Sequence, residues 1–388
     1  MRDQFTAPVA RVVGGRALLA GTHEVTRVDV SISDGAIDGL DGPSSVSDGK
    51  LLDARGAWVL PGLVDLHGDA FERSLMPRAG VHVDPELALA DNATQLLSAG
   101  VTTSFLSATD SWEPGLRSRA TLRVLVETLA RPQLGPHTYL HVRHECCNTA
   151  DLPELVEWIE SRAVRLLSFN DHTPGGIGRV EGLTPEQVQR SGVAQHELER
   201  LLGEAISRRC EGAEQERVLA TVCARAECPT ASHDASTSEH VDRDLTLGVS
   251  IAEFPATIDL AQRYRDARIE VLLGAPNLVR GGSHLGNLSV RSAWEAGAGD
   301  LLCSDYHYPS LLAAPFVLSA AEICSFGAAW SAVSTRAAAS VGLDAAGGIA
   351  PGSPADLVIV EPPDPSRGRS IPRVRASIVG GYLTYEAP

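Results

Sequence analysis

From Val9 to about Leu60 the chain alternates short β-prone runs (Ala10 to Val13, Val28 to Ile32, Leu51 to Asp53) with Gly and Asp turns, a pattern that predicts a small β layer. At Pro61 the rhythm changes. The apolar run Pro61-Gly62-Leu63-Val64-Asp65-Leu66 reads as one strand, and from there short apolar runs alternate with amphipathic stretches. Val101 to Leu106 precedes a helix over Leu116 to Ala130, Thr138 to Val142 precedes one over Leu152 to Glu160, and Arg165 to Phe169 follows. The alternation resumes with Thr230 to Ser232, Val249 to Ile251, a helix over Ile258 to Ala267, Glu270 to Leu273, a helix near Val290 to Ala296, and Asp300 to Cys303. Eight strands alternating with helices make a parallel sheet that closes on itself, a (β/α)8 TIM-like barrel. Gly178 to Gly212 is charged and helical and is expected to ride on the outer face. After about Asp344 the β-turn rhythm returns in Gly348 to Val360 and in Val374 to Leu383. The expected organisation is therefore a barrel over residues 61–343 and a small β-sandwich domain formed by both chain termini, 1–60 and 344–388.

Composition narrows the class. Of 388 residues 44% are hydrophobic but only 5% aromatic, which suits an aliphatic α/β interior. The formal charge of −16 repels phosphate backbones and anionic surfaces, so neither nucleic acid nor membrane is expected as a partner; a small-molecule substrate is. Oligomeric state is left open, with a homo-oligomer allowed. Cys146, Cys147, Cys210, Cys223, Cys228, Cys303 and Cys324 are odd in number and lack the paired spacing of a zinc module or a secreted disulfide framework. A reducing cytoplasmic setting fits them, and the first residues lack an apolar signal core. Cys146 and Cys147 are expected on a strand, pointing to opposite sides as core thiols.

Chemistry gathers just after the predicted strands, on the face where barrels build their sites. His67-Gly68-Asp69 follows the first strand; Arg143-His144-Glu145, Asp171-His172, His233-Asp234 and Ser304-Asp305 follow later ones. Residues two apart on a strand share a face, so His67 and Asp69 can converge on one ion while Gly68 lets the backbone come close. A single His here is more often a satisfied buried imidazole. Five strand ends carrying ligand-type side chains point instead to a cage for one or two divalent cations, zinc first, with manganese or iron as alternatives. Asp305 is the expected general base, taking a proton from activated water. Gly274 to Asn287 reads as a Gly-dense, donor-rich loop in which Arg280 supplies charge and His284 a hydrogen bond. Arg73, Arg78, Arg143 and Arg179 are further cations for the same face. No serine nucleophile elbow or dinucleotide motif is present.

The opening β layer, Pro61 to Asp65 before His67-x-Asp69, and the closing Gly-x-Ile349-x-x-Gly352-x-x-Ala355-Asp356-Leu357-Val358 resemble the amidohydrolase superfamily of metal-dependent barrels. A narrower likeness, to the ribose methylphosphonate triphosphate diphosphatases of the carbon–phosphorus lyase pathway, rests on Pro77-Arg78, His141-x-Arg143-x-Glu145, Asp171-His172-x-Pro174-Gly175, Ser232-His233-Asp234 and Glu253-Phe254-Pro255-x-Thr257. Gly274 to Asn287 and Ser304-Asp305-Tyr306 add to it. The resemblance implies hydrolysis of a phosphoanhydride by metal-activated water, with His67, Asp69, Glu145, His172, His233 and Asp305 around the metals. It further implies Arg280 and His284 facing substrate, joined by Arg78, Arg143 and Asn277. Either His172 or His233 stands behind the ligands in this reading, with Glu253 the reserve. Where such enzymes carry His-Thr-Asp-Asn and then Lys, this chain has His67-Gly68-Asp69-Ala70 and then Glu72-Arg73, which leaves cleavage of an amide, imide or other C–N bond as the alternative. A non-catalytic scaffold is the third reading, opposed by the intact ligand set.

Overall fold

The strand that starts at Leu63 is buried at every position, and so are its neighbours, as a parallel sheet covered on both faces requires. The computed structural model describes residues 7–42, 49–131, 135–176, 182–282, 288–343 and 346–388. Eight parallel strands run in sequence order: β1 Leu63–Gly68, β2 Val101–Asp110, β3 His137–Glu145, β4 Val164–Asn170, β5 Thr230–His233, β6 Ile251–Glu253, β7 Glu270–Gly274 and β8 Leu301–Cys303. The barrel closes between β1 and the residue pair after β8. Asp305 N–H donates to the His67 carbonyl (2.8 Å) and Asp69 N–H to the Asp305 carbonyl (2.9 Å).

Alternation sorts each strand into an outward face packed on helices and an inward face that fills the barrel. Val64, Leu66, Phe105, Leu166, Ala231, Ile251, Leu272 and Leu301 make an apolar inner layer. Two residues further along, the inward positions turn polar. The pairing of β1 with β2 slips by one residue between Asp65 and Gly68, so that Leu66 and His67 both reach the interior. Glycine is required at 68, where a Cβ would meet Asp65 Oδ2 at 2.7 Å.

The chain termini build a curled mixed sheet of ten strands beside the barrel. Trp58–Pro61, which leads straight into β1, pairs antiparallel with Leu357–Glu361, and Ala7–Val13 pairs antiparallel with Tyr382–Glu386. Val12, Val30, Ile37, Val59, Ile359 and Ile378 fill its core. No helix among the described residues is long and apolar enough to cross a membrane.

Two expectations are corrected. Gly274 to Asn287 is not a loop in its described part: Pro276 in the first turn and Gly281 at φ 83° bracket a helix over Ala275–Arg280. Ser283 to Asn287, and His284 with them, lie outside the described residues, as does Arg179. Cys146 and Cys147 sit on the turn after β3 rather than on the strand, although both are buried as expected. The charged excursion is tied into the fold as well as solvated. Arg190 bonds Glu113 through both carboxylate oxygens, Arg209 reaches Asp171 (3.1 Å), and the helix Arg209–Ala226 brings Gly212 against the Cys146 carbonyl.

Outside the barrel, Asp110 at the end of β2 accepts two bonds from Arg119 (2.6 Å each), one from His144 Nδ1 (2.8 Å) and one from Asn148 (3.0 Å). Burial alone would raise this carboxyl, but His144 and Arg119 bring it below its ordinary range. Its contribution is therefore fully present above the normal carboxylate pKa of about 4 and is lost as pH falls from there through the lower folded-state pKa. Asp110→Ala strands a buried guanidinium and is expected to cost about 3–5 kcal/mol in urea unfolding at pH 7. The gap to wild type should narrow in acid; an unchanged midpoint at pH 7 contradicts this account of the network.

Candidate metal centre

The polar end of the barrel is built by alternation on β3, where His141, Arg143 and Glu145 share the inward face, and by the residues that follow β4, β5, β6 and β8. Asp234 (φ 57°), Phe254 (φ 53°) and Asp305 (φ 54°) all take the left-handed conformation. Each donates its N–H to the next strand's carbonyl: Glu253, Leu272 and His67 respectively. Short Asp side chains tolerate that backbone, whereas Phe254 is strained in it. T-shaped contacts of the Phe254 ring with His67 (5.0 Å between centroids) and His233 (5.2 Å) offset the strain.

Six side chains expected around the metals stand near one another in two tiers. In the lower tier His67 Nδ1 lies 2.9 Å from Glu253 Oε1, and His233 Nδ1 lies 3.1 Å from Glu253 Oε2. His141 joins them with Nε2 at 3.7 Å from Glu253 Oε1. At the mouth, His172 Nδ1 donates to Glu145 Oε1 (2.5 Å) and its Nε2 faces Asp234 Oδ2 (3.6 Å); His233 Nε2 faces the same oxygen at 3.5 Å. Arg143 donates to His233 Nε2 (2.9 Å) and stands 3.7 Å from Asp69 Oδ2. Asp65 accepts from Ser304 N–H (2.9 Å) and hydroxyl (2.5 Å), which holds the turn carrying Asp305.

Burial sets the protonation. It drives His67 and His141 down to about 3, so both are neutral imidazoles with a lone pair to offer. Burial also lifts Asp305 to about 7, with Asp69 and Asp234 adding to the rise and Arg143 opposing it. For Glu145 burial acts upward but the His172 contacts prevail and hold it at about 2; His172 in turn, against burial, is raised to about 9 by Glu145 and Asp234.

A divalent ion fits these residues. Two groups, His67 with His141 and Glu253, and His172 with His233 and Asp234, each bring three ligand-type atoms within 4.8 Å of one another. His141 Nε2 is buried with no hydrogen-bond partner, a lone pair that a cation would satisfy. Above them opens a cavity of about 180 Å³ lined by His67, Asp69, Arg143, His233, Asp234 and Asp305, with Asn277 and Tyr306 at its side. That room takes ions, water and a scissile group, while the rest of a substrate must lie outside.

Of the remaining expected residues, Arg143 and Asn277 line the cavity, and Arg280 sits on the rim with its guanidinium 3.4 Å from the Tyr306 hydroxyl. Arg78 is exposed on a turn with Val81 and is not part of the cavity wall. His141 and Asp234 stood in the sequence motifs without being assigned as ligands, and Glu253, expected only as a reserve ligand, holds a central position. The period of two in His141-x-Arg143-x-Glu145 was the available signal for the first.

No family model matches the chain. It is 32% identical over 334 residues, 81% of this chain and 86% of the other, to the alpha-D-ribose 1-methylphosphonate 5-triphosphate diphosphatase of Escherichia coli K12. Among solved structures, a putative prolidase from Bifidobacterium longum superposes with a TM-score of 0.61 at 20% identity, covering 98% of this chain and 95% of that one. A dihydropyrimidinase from Brevibacillus agri does so at 0.56 and 14% identity, covering 96% and 94%. These likenesses carry the fold. With a closed parallel barrel, a ligand-rich mouth and that level of identity to the diphosphatase, the chain belongs to the amidohydrolase superfamily and is a hydrolase of that group.

Proposed function

We propose that this hydrolase cleaves a phosphoanhydride bond of a ribose methylphosphonate triphosphate and releases pyrophosphate. The identity to the Escherichia coli diphosphatase over most of both chains carries the reading. Two rim cations support it: Arg73 donates to the Tyr306 carbonyl (2.7 Å) and Arg280 reaches the Tyr306 hydroxyl, so both flank one edge of the cavity where a phosphate chain would lie.

His172, His233 and Asp234, with Asp69, Glu145 and Asp305 alongside and His67 beneath, would hold one or two divalent ions, zinc first. An ion bound there makes water more acidic and draws charge from phosphoryl oxygens. The chain's own groups do the rest. Asp305 faces the cavity and accepts the proton of the attacking water; the water oxygen bonds to phosphorus, the anhydride P–O bond breaks, and Asp305 returns the proton to the leaving oxygen. Arg143 neutralises charge at the floor and Asn277 offers an amide to a phosphoryl oxygen. Glu145 fixes the ring of His172.

One observation favours the C–N alternative. Phe254, Pro255, Leu273, Leu288 and Val290 give the cavity an apolar wall that suits an uncharged ring. Product analysis separates the two: pyrophosphate release supports the first, and an amine or new carboxylate without phosphate supports the second.

Asp305→Asn is expected to lower kcat by roughly 10²–10⁴-fold in a pyrophosphate-release assay; a loss of less than tenfold removes Asp305 from the proton-transfer role. Arg280→Met should raise KM for the triphosphate about tenfold, the worth of one charge-assisted contact, with kcat little changed. An unchanged KM would place the phosphates elsewhere. Dialysis against a chelator should abolish turnover and added zinc or manganese restore it, whereas full activity after chelation contradicts a metal-dependent reaction.

A further inference from the structure

Phe254 is held in a backbone conformation that its side chain disfavours. Among the described residues ten non-glycine residues have a positive φ, and Phe254 (φ 53°) alone of them is apolar; the others are Asp, Glu and Arg. A bulky residue keeps left-handed backbone only where its surroundings over-determine it, and such outliers gather where geometry serves function. The backbone itself is tied by the bond from Phe254 N–H to the Leu272 carbonyl (3.0 Å), which a glycine would make equally well without strain. The ring must therefore supply what glycine lacks.

His67 and His233 lie face to face, with centroids 5.2 Å apart and planes 15° from parallel. The Phe254 ring stands at 81° to the first and 90° to the second, 5.0 and 5.2 Å away, so the three rings form a closed triangle. Both imidazoles are also tied at Nδ1 to Glu253, at 2.9 Å for His67 and 3.1 Å for His233. Hydrogen bonds tolerate a range of angles, whereas a rigid perpendicular ring packed at this distance blocks rotation of both imidazoles about Cβ–Cγ. On the far side of the ring, a Cβ added to Gly274 would stand 3.6 Å from Phe254 Cε1 and 3.1 Å from Asp305 Oδ2. Ring edge and carboxylate thus share the bare backbone at the end of β7.

We propose that Phe254 is a positioning residue: its ring sets the planes of His67 and His233 and walls the cavity beside Asp305, so that imidazoles and base keep fixed angles around the attacking water. The inference rests on the reading of the mouth as the catalytic site of a phosphoanhydride hydrolase. His233 shows why the angle counts. Arg143 donates to its Nε2 (2.9 Å), and a guanidinium has only donors, so His233 holds its proton on Nδ1 and gives it to Glu253 Oε2. Turning that ring moves Nε2 away from Arg143 and from Asp234 Oδ2 (3.5 Å) and breaks the Nδ1 bond in the same movement. Phe254, Asp305 and both imidazoles line the same cavity, so a change in one ring plane is felt where the reaction takes place.

Kinetics and a proton spectrum of the full chain test this together. Phe254→Leu, which keeps an apolar side chain without the flat ring, is expected to lower kcat for pyrophosphate release by about 10–10²-fold with KM little changed. In ¹⁵N-histidine-labelled, chelator-treated protein the Nδ1–H resonance of His233 should be sharp in wild type, broadened or shifted in Phe254→Leu, and retained in Phe254→Tyr, which keeps the ring. Phe254→Gly relieves the backbone and serves as the ring-free variant should Phe254→Leu not fold. Wild-type kcat in the ring-free variant overturns the proposal, and so does a lower kcat with the His233 resonance unmoved. A wild type that releases no pyrophosphate ends the triphosphate reading; the resonance comparison then decides alone, a shift upholding the hold of the ring on His233 and an unmoved resonance overturning it.

Discussion

Two backbone hydrogen bonds, from Asp305 to His67 and from Asp69 back to Asp305, join the first barrel strand to the last. Everything at the mouth depends on that closure. It lays His67 and Asp69 against Asp305, residues that no local interaction could bring together, and Asp65 reinforces it through Ser304, 239 positions away in sequence. The ligand-type residues are therefore part of the seam, and the chemistry is placed by the same bonds that complete the fold. A long-range seam of this kind forms only after the intervening strands have aligned, because the loop entropy must be offset by their packing.

Above the seam the filling of the barrel changes character within two residues along each strand. Aliphatic side chains support imidazoles and carboxylates that have almost no access to water. That arrangement keeps His67 and His141 neutral and leaves Glu253 among imidazoles, and it strengthens every electrostatic contact in the layer. The outer tier is more open, with His172 and Asp234 partly exposed. A closed inner tier and an accessible outer one suit different duties, one fixing geometry and the other meeting substrate.

Much of the fold was legible because its signals are local. Buried parallel strands read as short apolar runs, and ligand-type residues after them mark the end of each, so the count of eight strands and the positions of His67, Asp69, Glu145, His172, His233 and Asp305 near one face followed from pattern. What escaped notice depends on long-range registry. The slip between Asp65 and Gly68 that sends His67 inward beside Leu66 is a property of pairing with β2 and has no signature in β1 itself. Glu253 sits three residues into a strand of only Ile251–Glu253, and its central place follows from β5 and β1 flanking it with imidazoles. The glycines of 274–287 suggested a loop, yet Pro276 and Gly281 are the start and stop of a short helix. The outer-face excursion after β4 gave no sign of its ties to Asp171 and Glu113, because the arginines that make them are also what a solvated helix would show.

Identity and chemistry point the same way at different resolution: the barrel and its ligand groups define a hydrolase, and the substrate is set by what surrounds the mouth. The central claim is that water is the nucleophile at a phosphorus atom. It is tested most directly by turnover of the proposed triphosphate in ¹⁸O-labelled water, with the products read by ³¹P NMR. The account predicts a single ¹⁸O in one phosphorus-containing product, at the broken anhydride. Unlabelled phosphorus products, or consumption of a substrate without any phosphorus–oxygen cleavage, would contradict it.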